Sequence, residues 1–166
     1  SGSGSEVTNF SVLTHEEGKH PLIDSRIQPD VAILAGELVE KLPPALIADG
    51  GFDVLSHALE SVAATKADPI SRALAGSAFA AAFAHLPASY RGDTRVRGKI
   101  HLASTMAGMA FSQSGLGMCH ALSHSLGGVL HLSHGRLNAV LLPEVVACNA
   151  PGATEAYAEI ARLAGL

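Results

Sequence analysis

Apolar residues follow two rhythms along this chain. Up to residue 42 they come in short alternating or continuous pieces, and beyond it they recur at helical spacing. Residues 7–13 (VTNFSVL) alternate and are rich in β-formers, which predicts a strand. HEEGK at 15–19 reads as a turn. Residues 21–25 and 31–34 read as two more extended pieces, divided by Gln28-Pro29-Asp30. Three such pieces cannot build a good sheet among themselves. They read as the edge of a sheet whose other strands lie elsewhere.

Leu42-Pro43-Pro44 changes the rhythm. Six helices are expected after it. The first covers 45–65, with Pro44 at its start. The second covers 69–85, capped by Asp68 and ended by Pro87 and the polar SYRGD. The third runs from 94 to about 113 behind Asp93, and the fourth covers about 116–130. The last two run from 134 to about 148 and from 153 to 163. The expected fold class is therefore mainly α: an all-helical domain over 43–166, preceded by a short β remnant over 1–42. No internal repeat is visible. Because the last helix closes on Ala-Gly-Leu, further helices are expected to follow it.

Composition sharpens this picture. Of the 166 residues 48% are hydrophobic and 16% charged, so the chain can build a core. Aromatics are only 4%, Trp is absent and alanine is common, which predicts closely packed helices with small contact residues. A net charge of -4 without a basic stripe argues against nucleic acid. The Ala-rich stretch at 73–84 is too short to span a bilayer, and no secretory signal is visible, so no membrane partner is expected. The two cysteines, Cys119 and Cys148, have no CxxC spacing. They read as buried apolar thiols in a reducing cytoplasm. An exposed sheet edge favours a homo-oligomer.

Candidate chemistry is concentrated in two runs. Residues 115–138, GLGMCHALSHSLGGVLHLSHGRLN, hold four of the nine histidines, at 120, 124, 131 and 134. Residues 49–61, DGGFDVLSHALES, place Asp53 four residues before His57. Residues four apart share a helix face, so Asp53 with His57, and His120 with His124, can each reach one ion. By spacing alone His134 is spare. A carboxylate with imidazoles suits Fe(II), Zn(II), Mn or Co. Glu60, one turn beyond His57, is the candidate general base if such a site hydrolysed its substrate instead. His15 and His20 flank the surface turn. His85 and His101 have no acidic partner by spacing and read as core or surface residues, while His131 is a candidate supporting residue.

The runs GGFDVLSHALES, GMAFSQSGLGMCHALSHSLGG and LSHGRLNAVLLP resemble the iron-dependent (group III) alcohol dehydrogenases, as do GSGSEVTNFSVLT and PDVAILAGELVEKLPP. The resemblance implies metal ligation by Asp53, His57, His120 and His134. His124 would face the substrate beside the metal, orienting the alcohol or relaying its proton. It also implies that the Gly/Ser-rich start is the family's GTGSEV loop, whose Ser5 and Val7 line the nicotinamide and ribose side of the cofactor, with Lys19 nearby. His124-Ser125-Leu126-Gly127 replaces the family's HPLG, and Leu142-Pro143-Glu144 its LLPH. The implied function is metal-assisted hydride transfer between a small primary alcohol or aldehyde and NAD or NADP, with Fe(II) or Zn(II). No GGGS-type phosphate loop matches here. The chain therefore reads as a fragment: 1–42 from a truncated α/β nucleotide-binding domain, 43–166 a metal-binding domain incomplete at its C-terminus, and little activity alone. The alternative is a metal-binding helical module or metallohydrolase without dinucleotide chemistry.

Overall fold

A computed structural model describes residues 2–15 and 18–166; the side chains at 14, 15, 18 and 19 also lie outside the description. The expected turn at 15–19 includes Glu16 and Glu17 and falls outside it. Strands β1 (Phe10–His15) and β2 (Gly18–Ile23) pair antiparallel, with Phe10 opposite Ile23 and Val12 opposite Pro21. Among the described residues they make a two-stranded antiparallel sheet. Residues 31–34 form no strand. Val7 belongs not to a strand but to a single 3-10 turn, Ser5–Val7, which starts from a left-handed Gly4 (φ 62°). That turn sits flush on a helix: a Cβ on Gly4 would stand 2.7 Å from the Gly108 Cα.

From residue 44 onward the chain is helical. Helix α1 (Pro44–Ala63) starts on Pro44, whose missing N–H would lack a helical partner in any case. Helix α2 (Pro69–Tyr90) opens with a reciprocal cap. The Asp68 carboxylate accepts the Ser71 N–H at 2.8 Å, and the Ser71 hydroxyl accepts the Asp68 N–H at 2.9 Å. Contrary to expectation, Pro87 does not end it. Proline forfeits one backbone hydrogen bond, but the last turn is held because Leu86 and Ser89 on it are buried. Leu86 lies against Gly51 of α1, where a Cβ would meet Leu86 Cδ1 at 2.2 Å. The helix stops before Gly92 (φ 102°). Asp93 caps a 3-10 turn, Thr94–Val96, that leads into α3 (Arg97–Ser114). Helices α4 (Met118–Leu130) and α5 (His134–Leu163) follow. The two helices expected after 134 follow one another directly within α5: non-helical Ala153 (φ −129°, ψ 20°) kinks the run between them, with Pro143 and Pro151 before the kink.

Alanines do close the helices on one another. Ala58, Ala75, Ala78, Ala82, Ala103, Ala107 and Ala110 are completely buried. They join Val54, Phe79, Ile100 and Ile160 in one core between α1, α2, α3 and α5. A methyl at a crossing lets two helices approach closely while still contributing about 0.8 kcal/mol when buried. The consequence for function is that α1 runs through the centre of the molecule, so polar residues on it are sealed from water. Among the described residues no helix is long and apolar enough to cross a membrane.

Candidate metal centre

Asp53, His57 and Glu60 follow one another at helical spacing on α1, and all three are buried. His120 comes from the first turn of α4 and His134 from the first residue of α5. The three imidazoles meet around the Asp53 carboxylate. Asp53 Oδ1 lies 3.5 Å from His120 Nε2, 3.5 Å from His134 Nε2 and 3.9 Å from His57 Nε2. The donor atoms of Asp53, His57 and His120 all lie within 4.8 Å of one another. His57 is held flat between two rings, Phe111 at 4.5 Å and His120 at 4.4 Å between centroids. His134 reaches the group because Gly135 lets α5 press on α1: a Cβ there would stand 1.9 Å from the Asp49 carbonyl oxygen.

Two further side chains complete the cluster. The Asn138 amide, fully buried one turn after His134, donates to Asp53 Oδ1 at 2.9 Å. The same nitrogen lies 3.3 Å from His120 Nε2 and 3.2 Å from His134 Nε2. Asn138 was missed in the sequence; its place four residues after His134 was the available signal. Glu60 Oε2 lies 2.5 Å from His120 Nδ1.

Electrostatics prepare these groups for a cation. Burial raises the Asp53 pKa, but the surrounding His57, His120 and His134 imidazoles outweigh it and hold the carboxyl at about 2. Burial pushes His57 down to about 4 against the pull of Asp53, so it is neutral at pH 7 with a lone pair to give. Burial also lowers His120, yet hydrogen bonds to Asp53 and Glu60 raise it overall. Burial, with Glu60 and Asp53 nearby, pushes the Cys119 thiol up to about 12, which keeps it out of competition as a thiolate ligand.

The histidines sort by position. His124 stands beside the group rather than in it, its ring stacked 4.3 Å from that of His134. It lines a cleft of about 890 Å³ that opens onto His120. The cleft is walled by Phe111, Leu116 and Val129 and roofed by the hairpin pairs Phe10–Ile23 and Val12–Pro21. Both members of the pair that spacing favoured, His120 and His124, line this cleft, with ring centroids 6.4 Å apart, and it is His120 that reaches Asp53, at 3.5 Å. His131 is exposed, in a left-handed conformation (φ 53°) at the end of α4, and lines the same cleft. His20 is exposed, and His85 and His101 lie on α2 and α3 outside the group. Ser5 and Val7 lie on the N-terminal 3-10 turn, which Glu6 ties to α3 by accepting the Thr105 hydroxyl at 2.6 Å. Val7 and Glu6 border a second cavity of about 380 Å³ with Gln28, Asp30 and Met109. Lys19 lies on β2, with its side chain outside the described residues. Of the two thiols, Cys119 is buried as expected but Cys148 is exposed, on the outer side of α5.

The profile of the Fe-containing alcohol dehydrogenase family, C-terminal, matches residues 47–166. This chain belongs to the iron-containing alcohol dehydrogenase family. It is 48% identical to a 1-propanol dehydrogenase of Citrobacter freundii over 98% of its own length and 45% of that protein. It is 45% identical to an NADPH-dependent butanol dehydrogenase of Clostridium saccharobutylicum over 98% of itself and 42% of the relative. It superposes with a TM-score of 0.93 on an iron-containing alcohol dehydrogenase from Thermococcus thioreducens, at 41% identity, covering 99% of itself and 44% of that chain. The chain thus spans a little under half the length of the iron-containing alcohol dehydrogenases it matches.

Proposed function

We propose that this chain carries the metal- and substrate-binding part of an NAD(P)-linked alcohol dehydrogenase acting on a small primary alcohol or its aldehyde. The observation that carries this reading is the donor set: one carboxylate held ionised and three imidazoles around it, drawn from three helices. Those donors fit a first-row divalent ion. Asp53, His57, His120 and His134 would hold Fe(II), with Zn(II) as the alternative. When bound, the ion supplies Lewis-acid polarisation of the substrate oxygen.

The chain's own residues do the rest. The apolar cleft takes a short carbon chain and excludes water from its inner end. His124 lies where it can hydrogen-bond the hydroxyl and pass its proton outward. Ser5 and Val7 form one wall for the nicotinamide and ribose, and Lys19, on β2, is assigned to the cofactor by the family resemblance alone. Residues 1–42 then belong to the dinucleotide-binding part and 43–166 to the helical metal-binding part. A reducing cytoplasm fits the exposed free thiol of Cys148, and a homo-oligomer is part of the same reading. Hydrolysis is the weaker reading. It needs Glu60 as a base facing substrate, yet the Glu60 oxygens accept from His120 and from α4 backbone N–H groups.

Titration of the chelator-treated chain with Zn(II) or anaerobic Fe(II) tests this reading. One ion per chain is expected, with affinity lowered at least 100-fold by Asp53→Ala. Stoichiometric binding that survives Asp53→Ala would overturn the ligand assignment.

A further inference from the structure

Behind the donor set lies a second carboxylate. Glu60 is three residues beyond His57 on the same face of α1 and only 3% exposed. Its Oε1 accepts the backbone N–H of Cys119 at 2.6 Å, and its Oε2 that of His120 at 3.3 Å. The Gly117 N–H adds a third backbone donor. These are N–H groups at the start of α4, where a helix has no internal acceptors and where Gly117 brings no capping side chain. The seat is tight, since a Cβ on Gly117 would come within 2.9 Å of Glu60 Oε1. At 2.5 Å from Oε2, His120 Nδ1 faces an acceptor, so it must carry hydrogen. A neutral imidazole has one N–H, so hydrogen at Nδ1 leaves Nε2 as a lone pair. His120 Nε2 is the nitrogen 3.5 Å from Asp53 Oδ1.

We infer that Glu60 is a positioning residue of the metal centre: it fixes His120 as the Nδ1–H tautomer and turns a bare Nε2 toward the ion. It does so with the carboxylate that also ties the first turn of α4 to α1. The inference rests on the metal reading above and goes beyond it, naming what sets the orientation and protonation of one ligand. A hydrogen bond from a ligand imidazole to a carboxylate also makes its other nitrogen a better donor, an effect typically worth 10- to 100-fold in metal affinity.

Glu60→Gln separates this role from simple capping. The Gln carbonyl still accepts the Cys119 N–H, but its NH2 group faces Nδ1 and favours the Nε2–H tautomer. Zn(II) affinity, measured by competition with a chromophoric chelator, is expected to fall 10- to 100-fold in the variant. Helix content and thermal midpoint of the chelator-treated chain should stay close to wild type. Equal zinc affinity in variant and wild type would overturn the inference. A second measurement needs no variant: long-range 1H–15N correlation on the zinc-loaded wild type. It should show His120 bound through Nε2, with an exchange-protected Nδ1–H. Binding through Nδ1, or an unprotected Nδ1–H, would overturn the inference whether or not the variant folds. Failure of the wild type itself to bind zinc would remove the metal reading and this inference with it. That outcome is distinct, because it appears before any residue is changed.

Discussion

His57 sits in its own α1 helix beside a carboxylate, yet burial wins over that neighbour and drives its pKa down to about 4. A histidine whose folded pKa lies below its unfolded value of about 6.5 stabilises the fold above 6.5, and that stability is lost as pH falls toward 4. Asp53, held at about 2, adds a second loss between about 4 and 2. His120, raised by Asp53 and Glu60 against burial, works the other way, stabilising at low pH and losing that contribution as pH rises. With chelator present, the urea midpoint should therefore fall between pH 6.5 and 4. His57→Phe, which keeps a ring between Phe111 and His120, should flatten that limb by about 2–3 kcal/mol. An unchanged limb in the variant would mean another group governs it. Much of this cluster was legible at this scale. Asp53 and His57 stand four apart on a helix, and a sequence shows that spacing directly. The entry of His134 was not legible from spacing, because it depends on the approach of Gly135 to the Asp49 carbonyl across 86 positions of chain. Asn138 was hidden for the same reason.

Helix boundaries reflect which local signals the fold respects. The Asp68 and Asp93 caps were legible because each completes a local hydrogen bond to a backbone N–H two or three residues on. Pro87 was misleading as a stop, since the burial of Leu86 and Ser89 holds the turn around it. The end of α4 carries a residue that sequence reasoning had no means to place. His131 adopts a left-handed conformation that a β-carbon resists by about 1–2 kcal/mol. His131→Gly should raise stability by about 0.5–1 kcal/mol in chemical denaturation without changing zinc affinity. A loss of stability would show that the ring at 131 packs usefully in the cleft.

Across the whole molecule, the core is drawn from residues 42 onward. The buried cluster of α1, α2, α3 and α5 contains none of the described residues of the hairpin or the N-terminal turn. A chain beginning at Leu42 should keep its helix content and melt cooperatively, while losing the roof that Phe10, Val12, Pro21 and Ile23 put over the cleft. Broad, non-cooperative melting of that shorter chain would show that the first 41 residues are part of the folding unit. The change of rhythm at Pro43 made the start of the helical run legible. The hairpin was less so, because Val31 and Ile33, as apolar as any strand, remain 76% and 85% exposed. Alternation alone does not say which segments find a partner. The N-terminal turn is bound to the helices through Gly4 and Gly108, whose backbones touch. A glycine inside a helix such as α3 forgoes about 1 kcal/mol relative to alanine. An alanine at 108 would recover that for the helix and evict the turn, and one at Gly4 would evict it as surely. Neither site has room for a larger residue, so the joint needs a glycine on both sides, like a mortise and its tenon.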